Sequence, residues 1–381
     1  MLFILSIMAV ISAGILAANK KADTETILYP VQVGGKWGYI NKMGKIAIKP
    51  SYAWADDFHE GVAIVETIKT SNGSKDEDME DRVRYGAIDS SGKMVVKPVY
   101  SSITKYTEGV AGAIIADNAA DLKYFILNNK GKVLYALPEN MQIVSMLFNG
   151  SQLPTQSEGM ILVQDDLTEK YGYINRYGKV ILPYQYNEAA NFSNGLALVK
   201  NDHNQNEYID AAGKVKIDAS KYITGKSFSE GLAAVAVQDK KSSAAVYGYI
   251  DTQGNMKIKP QFARAYAFSE GLAKVCVGES INSFSIGYID PSGVYRIGPH
   301  LKDNYEETLF SEGLAPVDEG KGGYMDKDGR FSIRPIITSG NDNYLRQNKA
   351  GEFREGIAKV LLSDGRLGYI DRTGTYIWDP Q

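Results

Sequence analysis

Short stretches of this chain alternate apolar and variable positions with a period of two. Ala197 and Val199, Ala233 and Val235, Ala273 and Val275, Ala315 and Val317, and Ala358 and Val360 flank a position held by Leu198, Ala234, Lys274, Pro316 and Lys359. One apolar face and one tolerant face predict half-buried antiparallel strands. A glycine opens each run, at Gly61, Gly109, Gly159, Gly195, Gly231, Gly271, Gly313 and Gly356. A second anchor, Asx-x-x-Gly, stands at Asn41/Gly44, Asp89/Gly92, Asn128/Gly131, Asn175/Gly178, Asp210/Gly213, Asp251/Gly254, Asp290/Gly293, Asp326/Gly329 and Asp371/Gly374. The two anchors alternate without exception. They define about nine units at a spacing of roughly 40 residues, the range of solenoids and propellers.

Each unit reads as three strands. The first is the Tyr171-Gly172-Tyr173-Ile174-Asn175 type. The Asx residue then caps a tight turn, and its glycine takes the left-handed conformation that closes it. The second strand, as in Lys179 to Leu182, is expected to end at a proline: Pro50, Pro98, Pro183, Pro260, Pro299 or Pro335. The glycine-opened run is the third. The last unit stops at Trp378 without its second anchor, which implies either a cap or a missing part supplied from elsewhere. A polar, acid-rich insertion interrupts the pattern at Ser71 to Asp81, and longer excursions do so around Pro138 to Thr155, His300 to Thr308 and Ile337 to Lys349. Insertions into repeats map to loops, often on one face.

Trp37-Gly38-Tyr39-Ile40-Asn41, then Gly44-Lys45, then Phe58-His59-Glu60-Gly61-Val62-Ala63-Ile64-Val65, resembles the WG-repeat family of bacterial proteins. The resemblance covers roughly residues 34 to 378. The signature tryptophan stands only in the first copy; Tyr85, Tyr124, Tyr171, Tyr247, Ile286 and Leu367 replace it elsewhere, and the unit from Glu207 lacks the glycine. The resemblance implies an interaction repeat and no defined chemistry.

Composition narrows the function further. With 42 Lys+Arg against 45 Asp+Glu, and a net charge of -3, no basic face for nucleic acid is expected. One cysteine, Cys276, excludes a disulfide framework and fits a small core position. Residues Leu2 to Ala18 are almost wholly apolar and precede Lys20 and Lys21. Residues 1–21 are therefore read as a signal peptide or an N-terminal membrane anchor, and 22–381 as the repeat domain. That places the protein in the cell envelope or outside the cell, with membrane contact only through residues 1–18 if they are retained.

The titratable residues carry no catalytic pattern. Glu60, Glu108, Glu158, Glu230, Glu270, Glu312 and Glu355 precede the second-anchor glycine, and Asn194 takes the same place once. An acid copied once per unit has one environment many times over, whereas a catalytic pair needs two unlike environments in one cleft. These acids are read as turn or edge hydrogen-bond acceptors. Asp326-Lys327-Asp328-Gly329 resembles the start of a calcium loop but lacks the following acid, and is read as a turn. Gly320-Lys321-Gly322-Gly323 is likewise read as a turn. His59, His203 and His300 lie in separate units without ligand spacing. No catalytic, cofactor or metal residue is therefore assigned, and the ligand is unknown.

Two function classes remain, with a hydrolase confined to the insertions a distant third. The first is a non-catalytic scaffold for protein-protein interaction at the cell envelope. The second is carbohydrate or cell-wall binding on aromatic platforms that include Trp37, Trp54 and Trp378. The expected fold is all-β, a tandem array of short antiparallel units, open or superhelical, with closure into a large propeller or barrel as the alternative.

Overall fold

In a computed structural model, the chain is described over residues 27–68, 83–118, 121–144, 155–240, 244–278, 284–302, 309–317, 323–333, 349–361 and 366–379. The N-terminal segment 1–21 and most residues of the four insertions lie outside this range. The described residues form strands only, in nine separate antiparallel sheets. These are the blades of a nine-bladed propeller, spanning residues 29–52, 54–100, 102–136, 141–186, 188–218, 224–262, 264–302, 314–333 and 349–378. Blade 2 shows the pattern: Trp54–Ala55, Val62–Ile68, Val83–Asp89 and Met94–Tyr100, paired in chain order. Nine exceeds the usual four to eight blades, but the array is closed rather than open.

Closure follows from contacts that recur at every blade. The glycine of each Asx turn lies against the fourth strand of the preceding blade. Gly254 faces Ile217, Gly293 faces Ile258, and Gly44 of blade 1 faces the carbonyl of Ile377 in blade 9. The inner tyrosine of Tyr-Gly-Tyr-Ile reaches forward in most blades, though blades 2 and 3 carry Ala87 and Ile126 there. Tyr39, Tyr173, Tyr208, Tyr249 and Tyr324 donate their hydroxyls to carbonyls of the next blade, at Asp56, Ala190, Lys226, Tyr266 and Gly351. Tyr369 of blade 9 donates to Pro30 of blade 1 at 2.8 Å. Each of these rings also meets an aromatic ring from the next blade: Tyr173 with Phe192, Tyr249 with Phe268, and Tyr369 with Tyr29. Such pairs contribute about 0.5–1.5 kcal/mol each beyond their buried area. Blades 1 and 9 share no strand; the ring is closed by side chains.

Three details differ from the sequence reading. The glycine-opened strand and the Tyr-Gly-Tyr strand that follows it belong to one sheet, so the blade begins one strand earlier than the unit inferred from the anchors. Blade 9 is consequently complete, and blade 1 has three strands. The variable position of the glycine-opened strand is not a solvent face either. Ala234 and Lys274 are buried, because a propeller blade packs against a neighbour on both faces.

Within the described residues proline does not end the fourth strand; Pro335 lies outside them. Strands such as Ile46–Tyr52 and Met256–Phe262 run through it. They do so on a bulge: Tyr249 pairs with Ile258, but Tyr247 pairs with Phe262. The bulge lies on Gly248, where a Cβ would sit 2.4 Å from the Ile258 oxygen and 2.7 Å from the Pro260 nitrogen. This is the physical reason for the glycine of the repeat signature. Blades 3 and 5 carry Phe125 and Glu207 at that position, and there the strands pair without this bulge, Phe125 with Ala136 and Glu207 with Asp218.

Candidate interaction site

The Ser-Glu-Gly turn is a two-residue hairpin joining the first and second strands. His59 and Val62 exchange both backbone hydrogen bonds, at 2.8 and 3.1 Å. Glu60 and Gly61 both have positive φ, 51° and 79°, the pattern of a type I′ turn. Glutamate is an unusual residue for the left-handed region, where a side chain other than glycine costs about 1–2 kcal/mol. Its carboxylate explains its presence. In six of the seven glutamate turns it reaches the next blade and accepts the amide hydrogen there.

Glu60 accepts from Gly109 at 2.7 Å, Glu158 from Gly195 at 3.1 Å, Glu230 from Gly271 at 2.9 Å and Glu312 from Gly356 at 2.9 Å. Glu108 takes both amides of the following turn, Glu158 at 2.7 Å and Gly159 at 2.8 Å. Glu270 takes Glu312 and Gly313 in the same way. Asn194 substitutes an amide oxygen, 2.7 Å from the Gly231 nitrogen. Turns only one side chain apart in a ring of nine lie at the inner rim. Cations from the Asx turns brace them: Arg176, Lys327 and Arg372 donate to the carbonyls of Glu108, Glu270 and Glu312.

Burial opposes ionisation of Glu108 and Glu270, but their hydrogen bonds outweigh it and hold both carboxyls below the ordinary range. The expectation that these acids are structural acceptors is met. So is the turn reading of Asp326, whose Oδ1 accepts the Asp328 and Arg330 amides at 3.0 and 2.9 Å. Of Gly320 to Gly323, only Gly323, in a strand, lies within the described residues. Cys276 is buried in the core of blade 7.

The chain of carboxylates breaks at one place. Among the described residues, blade 1 has no first strand and no Ser-Glu-Gly turn. Glu355 of blade 9 instead meets Lys42 of the first Asx turn at 3.0 Å, and among the described residues the Gly61 amide donates to no carboxylate of the preceding blade. A cleft of about 340 Å³ opens there, with Ile27, Phe58, Gly61, Phe353, Arg354 and Glu355 among its walls. Tyr29 partly fills the vacant position, its ring 5.4 Å from that of Tyr369. Burial, the carboxylates of Glu355 and Glu312, and then Asp57 push the Tyr29 hydroxyl up to about 12.

His59 is half-buried beside this cleft. Burial, followed by the charge of Arg354, lowers its pKa, while Asp56 acts in the opposite sense. Lys359 of blade 9 bridges to Asp57 of blade 2 at 3.1 Å. The sequence did not single out this seam, although the absence of a glycine anchor before Tyr29 was a usable signal. The other candidates do not converge. His203 and His300 lie in blades 5 and 7. Trp37 packs against the cluster of Tyr39 and Ile48, Trp378 against that of Tyr29 and Tyr369, while Trp54 is 37% exposed and meets Tyr85 edge-on. Among the described residues, no group of three or more His, Cys, Asp and Glu could hold a metal.

The two ends of the blades differ. The Ser-Glu-Gly and Asx turns share one end and vary little. At the other end lie the connections from second to third strand. They range from Gly34-Gly35 in blade 1 to residues 69–82 in blade 2.

The chain carries the WG containing repeat, matched at residues 37–67, 85–116, 171–203 and 247–279. No curated protein matches the sequence. Among solved structures the chain is similar to the computationally designed Ika8 protein, at 11% identity and a TM-score of 0.45, over 82% of this chain and 94% of that one. It is also similar to BamB from Moraxella catarrhalis, at 9% identity and a TM-score of 0.41, over 89% and 92%. A third is uncharacterized protein lmo1340 from Listeria monocytogenes EGD-e, at 12% identity and a TM-score of 0.42, over 81% and 94%.

Proposed function

We propose that this protein, built of WG repeats closed into a nine-bladed propeller, is a non-catalytic scaffold that binds other proteins at the bacterial cell envelope or outside the cell. One observation carries the reading. The repeated acids, which are the chain's most abundant candidate chemistry, are consumed in holding each blade to the next. What varies is the set of hairpins at the opposite end, in both length and composition. A rigid ring with one uniform end and one variable end suits selection of protein partners by loops on a fixed frame. The apolar run Leu2 to Ala18 supports export or anchoring.

Cross-linking of the full chain in its own cells tests this. Discrete protein adducts through the second-to-third-strand hairpins are expected. A chain that yields no protein adduct, yet pellets with protein-stripped cell wall and is released by free sugar, would establish the carbohydrate reading instead.

A further inference from the structure

The described residues hold seven worked copies of one recognition event and an eighth place where, among them, that event lacks its partner. In seven turns, the amide of the second-anchor glycine receives an oxygen from the preceding blade at 2.7–3.1 Å. In two of them the residue before the glycine adds its own amide. The eighth turn, Glu60-Gly61, has the same backbone, with φ of 51° and 79° against 51° and 78° at Glu158-Gly159. Its amides point at the seam between blades 9 and 2. Consecutive left-handed residues form an anion-binding concavity, and the other seven turns show that its occupant here is a side-chain carboxylate or its amide analogue.

We propose that the seam cleft is a binding site for an acidic side chain of a partner polypeptide, whose carboxylate takes the Glu60 and Gly61 amides as the ring's own glutamates do elsewhere. The surroundings favour a peptide over a free acid. Ile27, Phe58 and Phe353 give the cleft an apolar wall, which matches the residues flanking glutamate in the ring's own turns, such as Phe310-Ser311-Glu312-Gly313-Leu314.

Charge is compatible with an incoming anion. Of the acids around the cleft, Glu60 is bound to Gly109, Glu355 to Lys42 and Asp57 to Lys359, while Glu312 is bound to Gly356 and Arg372. Arg354 lines the cleft and is exposed. This site lies at the uniform end, away from the hairpins of the scaffold proposal, and the two stand or fall separately.

The test uses the full chain labelled with ¹⁵N-glycine and the blocked peptide Leu-Phe-Ser-Glu-Gly-Leu, the sequence of residues 309–314. The Gly61 amide resonance should move on titration while those of Gly109, Gly195 and Gly356 stay in place. Replacing the peptide's glutamate by glutamine should weaken binding about fivefold, since a hydrogen bond to a charged group exceeds a neutral one by roughly 1 kcal/mol. R354Q should weaken it several-fold in the same assay. A Gly61 resonance that does not move, or that responds equally to the glutamine peptide, overturns the proposal. Acetate producing the same shift at the same concentration would assign the site to free acids and overturn the commitment to a peptide. E25Q moving Gly61 without added peptide would show that the chain's own acid fills the site, and would overturn it as well. Protein adducts persisting at the hairpins after any of these failures would leave the scaffold reading intact.

Discussion

Gly248→Ala isolates the bulge on which the repeat signature rests. Gly248 does not have positive φ, so alanine meets no backbone penalty there. By intrinsic preference alone, alanine in place of a strand glycine would stabilise by about 0.5–1 kcal/mol. The clash decides the sign. The new Cβ would lie 2.4 Å from the Ile258 oxygen, 2.7 Å from the Pro260 nitrogen and 2.9 Å from the Lys259 carbonyl carbon. All three are backbone atoms on a paired strand and cannot rotate away. Relief requires the strand pair to separate by more than half an ångström, which breaks the register between Tyr247 and Phe262. Overpacking of this kind costs about 1–3 kcal/mol, and three backbone contacts place it near the upper end.

The control is Gly231→Ala, where φ is 81° but nothing lies within 4 Å of the added Cβ. That substitution should cost about 1–2 kcal/mol from conformation alone. Thermal unfolding should therefore place Gly248→Ala lowest, by about 4 °C relative to the parent chain, with Gly231→Ala between. Hydrogen exchange should locate the loss in residues 245–262. Gly248→Ala unfolding at or above the temperature of Gly231→Ala would refute the explanation of the signature glycine.

Other consequences can be measured on the same footing. Tyr369→Phe leaves the buried Pro30 carbonyl without its donor at the seam, so stability should fall by about 1–2 kcal/mol in urea titration. Glu108 and Glu270 have folded pKa values below the ordinary 4.5. Their contribution is whole above that value and is lost as pH falls through the lowered ones. The melting temperature should decline below about pH 4.5, and less steeply in the E108Q/E270Q double variant. The Asp290 carboxyl is held down to about 2, first by the Ser292 hydroxyl and then, against the opposing effect of burial, by the Val294 and Ser292 amides and Arg296. Asp290→Asn should keep the turn at neutral pH, as Asn41, Asn128 and Asn175 do in other blades, whereas Asp290→Ala should lose about 1 kcal/mol. Buried Cys276 should react with a thiol reagent only on unfolding.

Features fixed by local chemistry were readable from the sequence. Each Asx turn is closed by its own residues, as when Asn41 Oδ1 accepts the Met43 and Lys45 amides at 2.9 and 3.1 Å. The reading of the repeated glutamates succeeded for the same reason: Asn194 at a glutamate position requires an acceptor rather than a charge. The blade boundary was not readable from anchor order. A repeat cut at any phase has the same period, and only the pairing of Leu232–Gln238 with Ala245–Asp251 shows which strands share a sheet. Proline misled because its missing donor was taken as a strand end, when Gly248 gives the chain room to bulge past Pro260. The seam was missed because it is made by an absence, a turn that blade 1 does not contribute among the described residues.

Closure itself left a signal that repeat counting overlooks. The terminal units of an open array must present polar outer faces, since each has a neighbour on one side only. Here the first unit begins with Tyr29-Pro30-Val31, and the last contains Ile357 and Tyr369 at positions that are buried in other blades. Two uncapped apolar ends in one chain satisfy each other at least cost by meeting. In the folded protein Tyr29, Val31, Ile40, Ile357 and Tyr369 form one buried cluster. The size of Tyr29 fits this account. Alanine holds the matching position at Ala63, Ala111, Ala197, Ala233, Ala273, Ala315 and Ala358, and isoleucine at Ile161; there a first strand and the segment after it can supply the ring, as Phe192 does to Tyr173 and Phe268 to Tyr249. Blade 1 has no such strand among the described residues, and Tyr29 brings the ring itself. The choice between open and closed was therefore written in the one unit that carries an aromatic ring at this position. The same departure leaves the Gly61 amide at the seam without, among the described residues, the acceptor its seven counterparts have.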